Sequence, residues 1–112
     1  MKHMQQKTVK ITKFSQLNNE LKNNIAVVLF FSSSDCSVCN ADLPRVEILA
    51  KELILPLIHI AADKAPEIRG QLGIFAVPTV LLYLNEREYH RQSVFIDFRE
   101  LRKRMEEITC RY

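Results

Sequence analysis

The chain has 112 residues, 47% of them hydrophobic, 26% charged and 8% aromatic, a length and balance that suit one compact domain over residues 1–112 and are too small for two. Sixteen Lys and Arg against thirteen Asp and Glu leave +3 at pH 7, too mild and too scattered for a disordered tail or a dedicated nucleic-acid binder. Two glycines and four prolines exclude low-complexity and collagen-like classes, and the longest apolar run, Ile25 to Phe31, is far short of the roughly 18 residues a spanning helix needs.

Short β-branched or aromatic runs alternate with stretches of helical period, the pattern of an α/β domain. Lys7 to Ile11 reads as a short edge strand. Thr12 or Ser15 is placed to cap a helix reaching about Lys22, with Phe14, Leu17 and Leu21 on one face. Ile25 to Phe31 holds no polar residue, as a strand covered on both sides does, and belongs at the centre of the sheet. A helix follows from about Cys36 to Leu53, with Leu43, Val46, Ile48, Leu49 and Leu53 as its apolar face. Pro44 lies inside it and predicts a kink near Asn40 to Pro44. Leu55 to Ala61 is a second apolar strand, with Pro56 at its start and His59 within it. Asp63 to Leu72 reads as a short helix with Pro66 in its first turn. Thr79 to Leu84 and Glu88 to Val94 form an antiparallel hairpin around Asn85, Glu86 and Arg87. Asp97 caps a last helix from Phe98 to about Thr109, its inner face Phe98, Leu101, Met105 and Ile108.

The polar, basic N-terminus carries no apolar stretch before Ile25, unlike a secretory leader, so a cytoplasmic location is expected. In that setting a close cysteine pair points to redox or metal chemistry before a structural bridge. Cys36-Ser37-Val38-Cys39 stands between a buried strand and a helix. At a helix N-terminus, unpaired amides and the helix dipole favour an anion, which lowers the Cys36 thiol pKa below about 8.5. One turn brings Cys39 alongside, so Cys36 is expected to be the exposed nucleophile and Cys39 the shielded resolver. Zinc is disfavoured, since a structural site needs about four ligands and neither Cys110 nor His3, His59 or His90 is suitably spaced.

Taken together, Val27 to Phe31 leading into Cys36-Ser37-Val38-Cys39, the helix proline Pro44, Asp63 followed by Pro66, and Leu72-Gly73-Ile74-Phe75-Ala76-Val77-Pro78-Thr79 resemble the thioredoxin family across nearly the whole chain. The resemblance implies a mixed sheet of about five strands flanked by about four helices in the order βαβαβαββα. It implies a cis bond before Pro78, packed against the cysteines, with Val77 presenting backbone hydrogen bonds to a bound peptide. It further implies protein-disulfide substrates, no bound cofactor, and a separate NADPH-dependent flavoprotein reductase.

Departures are specific. Phe30 stands where thioredoxins hold a buried aspartate, six positions before the first cysteine, and His59 stands for an accompanying lysine. Asp35 replaces a tryptophan and, beside Cys36, raises the thiol pKa. Ser37-Val38 replaces Gly-Pro, with Ser37 a donor toward a Cys36 thiolate. The usual glycines in and after the final hairpin are missing.

His59 is either a core histidine hydrogen-bonded nearby or a proton relay for Cys39 in place of the missing aspartate. Cys110, near the C-terminus, is an incidental thiol able to link two chains under oxidation. Arg99, Arg102, Lys103, Arg104 and Arg111 alternate with Glu100, Glu106 and Glu107 as on a solvated helix face. Phe75, Ala76 and Val77 either pack a loop or rim the cysteines with apolar surface for a partner. The expectation is a monomeric thiol-disulfide oxidoreductase with Cys36 and Cys39 catalytic, Ser37, Val38, Val77 and Pro78 shaping the substrate groove, and no metal, nucleic acid or membrane involved. The alternative is a non-enzymatic adaptor that keeps the groove without turnover.

Overall fold

The computed structural model describes residues 8–109. Its elements are β1 (Thr8–Lys10), α1 (Phe14–Asn23), β2 (Ala26–Ser32), α2 (Ser37–Glu52), β3 (Leu57–Ala61), α3 (Pro66–Leu72), β4 (Thr79–Leu84), β5 (Arg87–Ser93) and α4 (Phe98–Thr109), with a 3-10 turn at Ala62–Lys64. The five strands make one sheet in the order β1-β3-β2-β4-β5. Pairing is parallel from β1 through β3 to β2 and antiparallel from β2 through β4 to β5. His3, Lys7, Cys110 and Arg111, which the sequence reading used, lie outside the described residues.

β2 occupies the centre, and all seven of its residues are buried. Its alternating side chains feed two cores, because successive residues of a strand point to opposite faces. Ala26, Val28 and Phe30 meet Val46, Leu49 and Ala50 of α2 and Leu101, Met105 and Ile108 of α4. Val27, Leu29 and Phe31 meet Leu17 and Leu21 of α1 and Ile68 of α3. Each such side chain contributes about 1.5–3 kcal/mol on leaving water, so the strand leading to the cysteines is anchored from both sides.

The ends of the elements depart from the sequence expectations for local reasons. The N-cap of α1 is Lys13, not Thr12 or Ser15, and its side chain makes no capping bond. The Gln16 side-chain oxygen accepts from the Lys13 N–H at 3.1 Å and the Thr12 N–H at 3.3 Å, supplying the half of a capping box that a Gln can offer. α2 runs unbroken through Pro44, but Ile48, expected on its inner face, is 58% exposed. The segment from Asp63 to Leu72 is two pieces, the 3-10 turn and α3, with Ala65 as the N-cap of α3 and Pro66 inside its first turn. β3 begins at Leu57, after Pro56, which has no N–H to give a ladder. The hairpin loop is the two residues Asn85 and Glu86, both at positive φ (53° and 65°), with Arg87 already in β5. Positive φ at both central positions is what a type I′ turn requires, and its twist matches that of the strands. Asp97 caps α4 as expected, its Oδ1 accepting the Glu100 N–H at 3.0 Å.

Two β-branched residues also hold positive φ, Ile54 at 56° and Val94 at 70°. Beyond α2 the Leu55 N–H reaches the Ala50 carbonyl at 2.8 Å and the Ile54 N–H reaches that of Lys51 at 3.2 Å, the paired bonds of a Schellman motif with Ile54 where glycine is usual. Val94 follows β5, which therefore ends one residue earlier than expected, and its N–H donates to the Pro78 carbonyl at 2.7 Å.

Candidate active site

β2 ends at Ser32 and the chain turns through Ser33, Ser34 and Asp35 into α2, whose N-cap is Cys36. The turn is tied at both ends. The Cys36 N–H donates to the Ser33 carbonyl at 3.4 Å, and the Ser34 hydroxyl donates to Asp63 Oδ2 at 2.7 Å, holding that carboxyl below its usual pKa. Cys36 Sγ in turn accepts the Cys39 N–H at 3.1 Å, so the orphan amide of the helix start points at sulfur.

The two cysteines are joined as a disulfide with Cα atoms 5.2 Å apart. They differ sharply in exposure. Cys39 is 1% exposed and packs in the core with Phe30 and Val46, whereas Cys36 is only partly covered. Ser37 and Val38, between them, face solvent, Val38 at 52%. The Val77–Pro78 peptide bond is cis. Val77 packs against the cluster that contains the disulfide, and Pro78 is buried. All six residues expected at the site therefore fall at one end of the sheet, where β2 ends, α2 begins and β4 begins.

Phe30 is fully buried, and the β2–β3 register sets it opposite His59, their ring centroids 6.1 Å apart. His59 Nε2 and Ser32 Oγ share a 2.7 Å hydrogen bond. Burial lowers the His59 pKa, Lys10 lowers it further and Glu47 opposes both. The imidazole is half-buried and has a hydrogen-bond partner.

Apolar side chains surround the disulfide end. Phe75 is 89% exposed, so it rims the site instead of packing the loop. Sequence reasoning missed its counterpart, Phe95, which is 90% exposed two residues beyond β5. Its signal is the apolar run Val94-Phe95-Ile96, of which only Val94 enters the expected strand. A cavity of about 180 Å³ opens beside the turn, walled by Ser33, Asp63, Arg69, Ile74, Phe75 and Val77 among others. Arg69 was also missed, since nothing in its spacing marks it.

Elsewhere the charged side chains of α4 pair along the helix and across to α2: Arg104 bonds Glu100 and Glu107, and Arg102 bonds Glu106 and, at the end of α2, Glu52. Among the described residues no group of three or more His, Cys, Asp and Glu side chains is arranged to hold a metal ion, and no helix is long and apolar enough to cross a membrane.

The chain is similar in sequence and in fold to known proteins. The thioredoxin-like protein YdfQ of Bacillus subtilis (strain 168) is 29% identical over 97 residues, 86% of this chain and 87% of that protein. A thioredoxin of Rickettsia bellii (strain RML369-C) is 33% identical over 67 residues, covering 58% of this chain and 64% of its own length. Among solved structures, a mutant thioredoxin from Halobacterium salinarum NRC-1 superposes with a TM-score of 0.86 at 21% identity, over 93% of this chain and 92% of that one. The family model for thioredoxin matches residues 7–107. With that match over nearly its whole length, the five-stranded mixed sheet with four helices and a Cys36–Cys39 disulfide at CxxC spacing, the chain belongs to the thioredoxin family and carries the thiol-disulfide oxidoreductase function of that family.

Proposed function

We propose that the protein reduces disulfides in protein substrates, with Cys36 as attacking thiolate and Cys39 as resolving thiol. The observation that carries the assignment is the asymmetry of the pair: Cys36 is only partly buried and its Sγ accepts the Cys39 amide at 3.1 Å, while Cys39 is 1% exposed. The Cys36 thiolate attacks one sulfur of a substrate disulfide, forming a mixed disulfide and releasing the other sulfur as a thiolate that takes a proton. The Cys39 thiolate then attacks Cys36 Sγ, closing the Cys36–Cys39 disulfide and releasing the second substrate thiol. Two electrons pass from the dithiol to the substrate.

The site needs no bound cofactor for this exchange. Regeneration is assigned to a separate flavoprotein drawing electrons from NADPH. Val77 and Pro78 shape one wall of the groove and Ser37 and Val38 the other, with Phe75 and Phe95 adding apolar surface for a docked chain. The protein acts as a monomeric single domain in the cytoplasm.

Trapping tests the roles. Cys39→Ser should accumulate a mixed disulfide through Cys36 when challenged with oxidised insulin, seen as a mass adduct that reductant removes. Cys36→Ser should form none. Equal trapping by both variants, or trapping through Cys39, would overturn the assignment, and retained biological function in Cys36→Ser would favour an adaptor role.

A further inference from the structure

β5 fastens the segment between α3 and β4 at both of its ends. In a regular strand, residues three apart point to opposite faces, but Tyr89 is the extra residue of a β-bulge, with Leu82 pairing with His90 and Tyr83 with Glu88. The bulge re-aims the strand so that Glu88 and Arg91 meet. The Glu88 carboxylate accepts from Arg91 Nε and Nη2, both at 3.0 Å, and so fixes the plane of the guanidinium. The end of that fork then donates to the Gly73 carbonyl at 2.9 Å through Nη1 and to the Leu72 carbonyl at 2.7 Å through Nη2. Leu72 is the last residue of α3 and Gly73 its C-cap, where carbonyls lack a partner within the helix. The next carbonyl, of Ile74, accepts Arg69 Nε–H at 3.1 Å. Three consecutive carbonyls thus end on two guanidinium groups. At the far end the Val94 N–H donates to the Pro78 carbonyl at 2.7 Å. The Thr79 hydroxyl donates to the Ala76 carbonyl at 2.7 Å and shares a 3.0 Å hydrogen bond with the Ser93 hydroxyl. Between these ties stand exposed Phe75 and Val77, which packs against the cluster holding the disulfide.

We propose that Arg91, oriented by Glu88, is a positioning residue for protein substrates: from the edge strand it fixes where Phe75 and Val77 stand relative to Cys36. The proposal rests on the reading of Cys36 and Cys39 as an exchange pair that acts on proteins. Without the guanidinium the Leu72 and Gly73 carbonyls turn to water, and the segment that follows must be ordered anew each time a chain docks, a cost that falls on binding. A small disulfide reaches Cys36 without leaning on that segment and bears none of this cost. Lysine cannot substitute fully, because its single ammonium lacks the planar fork that serves Glu88 and both carbonyls together.

The test compares the parent with Arg91→Ala, Arg91→Lys and Arg87→Ala, the last an exposed arginine of the same strand. Insulin reduction under excess dithiothreitol gives KM and kcat, and pre-reduced protein is mixed with bis(2-hydroxyethyl) disulfide in a single turnover. Amide hydrogen exchange is followed at Phe75, Ala76 and Val77 and along β2. Arg91→Ala should raise KM for insulin about tenfold, the scale of one lost charge-assisted hydrogen bond, and leave kcat and the small-disulfide rate within about twofold. Exchange should quicken at Phe75 to Val77 and stay unchanged in β2, which also reports that the variant is folded. Arg91→Lys should recover only part of the loss, and Arg87→Ala should match the parent. An unchanged KM or unchanged exchange in Arg91→Ala, equal slowing on both substrates, full recovery by lysine, or the same loss in Arg87→Ala would each overturn the positioning role while leaving the exchange chemistry intact. A parent protein that fails to reduce insulin would instead overturn the reading on which the role rests, and the role with it.

Discussion

Ile54 offers a clean test of how a chain with two glycines closes its helices. It sits at φ 56° just past α2, closing a Schellman pair of hydrogen bonds, and its side chain is 64% exposed. A left-handed conformation costs an L-residue roughly 1–2 kcal/mol through the clash of Cβ with the carbonyl oxygen. Glycine escapes that clash but loses about 0.5–1 kcal/mol of extra chain entropy on folding relative to alanine. At Ile54 the two effects leave Ile54→Gly more stable than Ile54→Ala by about 0.5–1 kcal/mol, since both lose the same side chain and keep the same backbone bonds. At exposed Lys103, within α4, only the entropy acts and the order reverses by about 1 kcal/mol. Thermal and urea unfolding of the four variants measures this. One kcal/mol corresponds to about 4–8 °C for a domain of this size, so the Ile54 pair should differ by several degrees with unchanged urea m-values. An alanine variant as stable as the glycine variant at Ile54 would refute the strain argument.

Stability should also fall on mild acidification. Because burial and Lys10 lower the His59 pKa in the folded protein, the unfolded chain takes up its proton first. The contribution is complete above the unfolded value of about 6.5 and is lost as pH drops through the lower folded value. His90, lowered chiefly by burial and then by Arg104, acts with the same sign. His59→Gln should therefore flatten, without abolishing, the slope of urea stability between about pH 7 and pH 5, and an unchanged slope would contradict the assignment. Phe30→Ala, which empties a fully buried position beneath the disulfide, should cost about 3–5 kcal/mol, and a loss below about 1 kcal/mol in urea titrations would show that the core there is not close-packed.

Where the amino-acid pattern could speak, it spoke about the centre of the molecule. A run without a polar residue can only be a strand covered on both faces, and Ala26–Ser32 is that strand. Cysteines three apart at a strand-to-helix junction implied one exposed and one shielded sulfur, and Cys36 and Cys39 differ in that way. The misses lie where backbone geometry is held by residues that do not advertise it. Ile54 and Val94 occupy left-handed positions without the glycine that would mark them, so a strand was extended through Val94. Gln16, three residues into the helix, caps α1 in place of the expected Thr12 or Ser15. Ile48 lies two residues past Val46 and one before Leu49, about 100° or more round α2 from its buried face, and its side chain remains in solvent. The cavity walls come from the segments carrying Ser33, Asp63, Arg69 and Val77, and only the topology joins those segments at one end of the sheet.

The central claim, a reversible dithiol at Cys36 and Cys39, is tested most directly by its redox equilibrium in defined thiol buffers, with Cys110→Ser and mass-resolved alkylation to count the two thiols. The account predicts a single two-electron couple that returns fully to the dithiol, within the span of about −270 to −120 mV occupied by thioredoxin-like exchange proteins. A pair that stays oxidised below about −300 mV, as structural disulfides do, or one that never forms the disulfide at any poise, would contradict it.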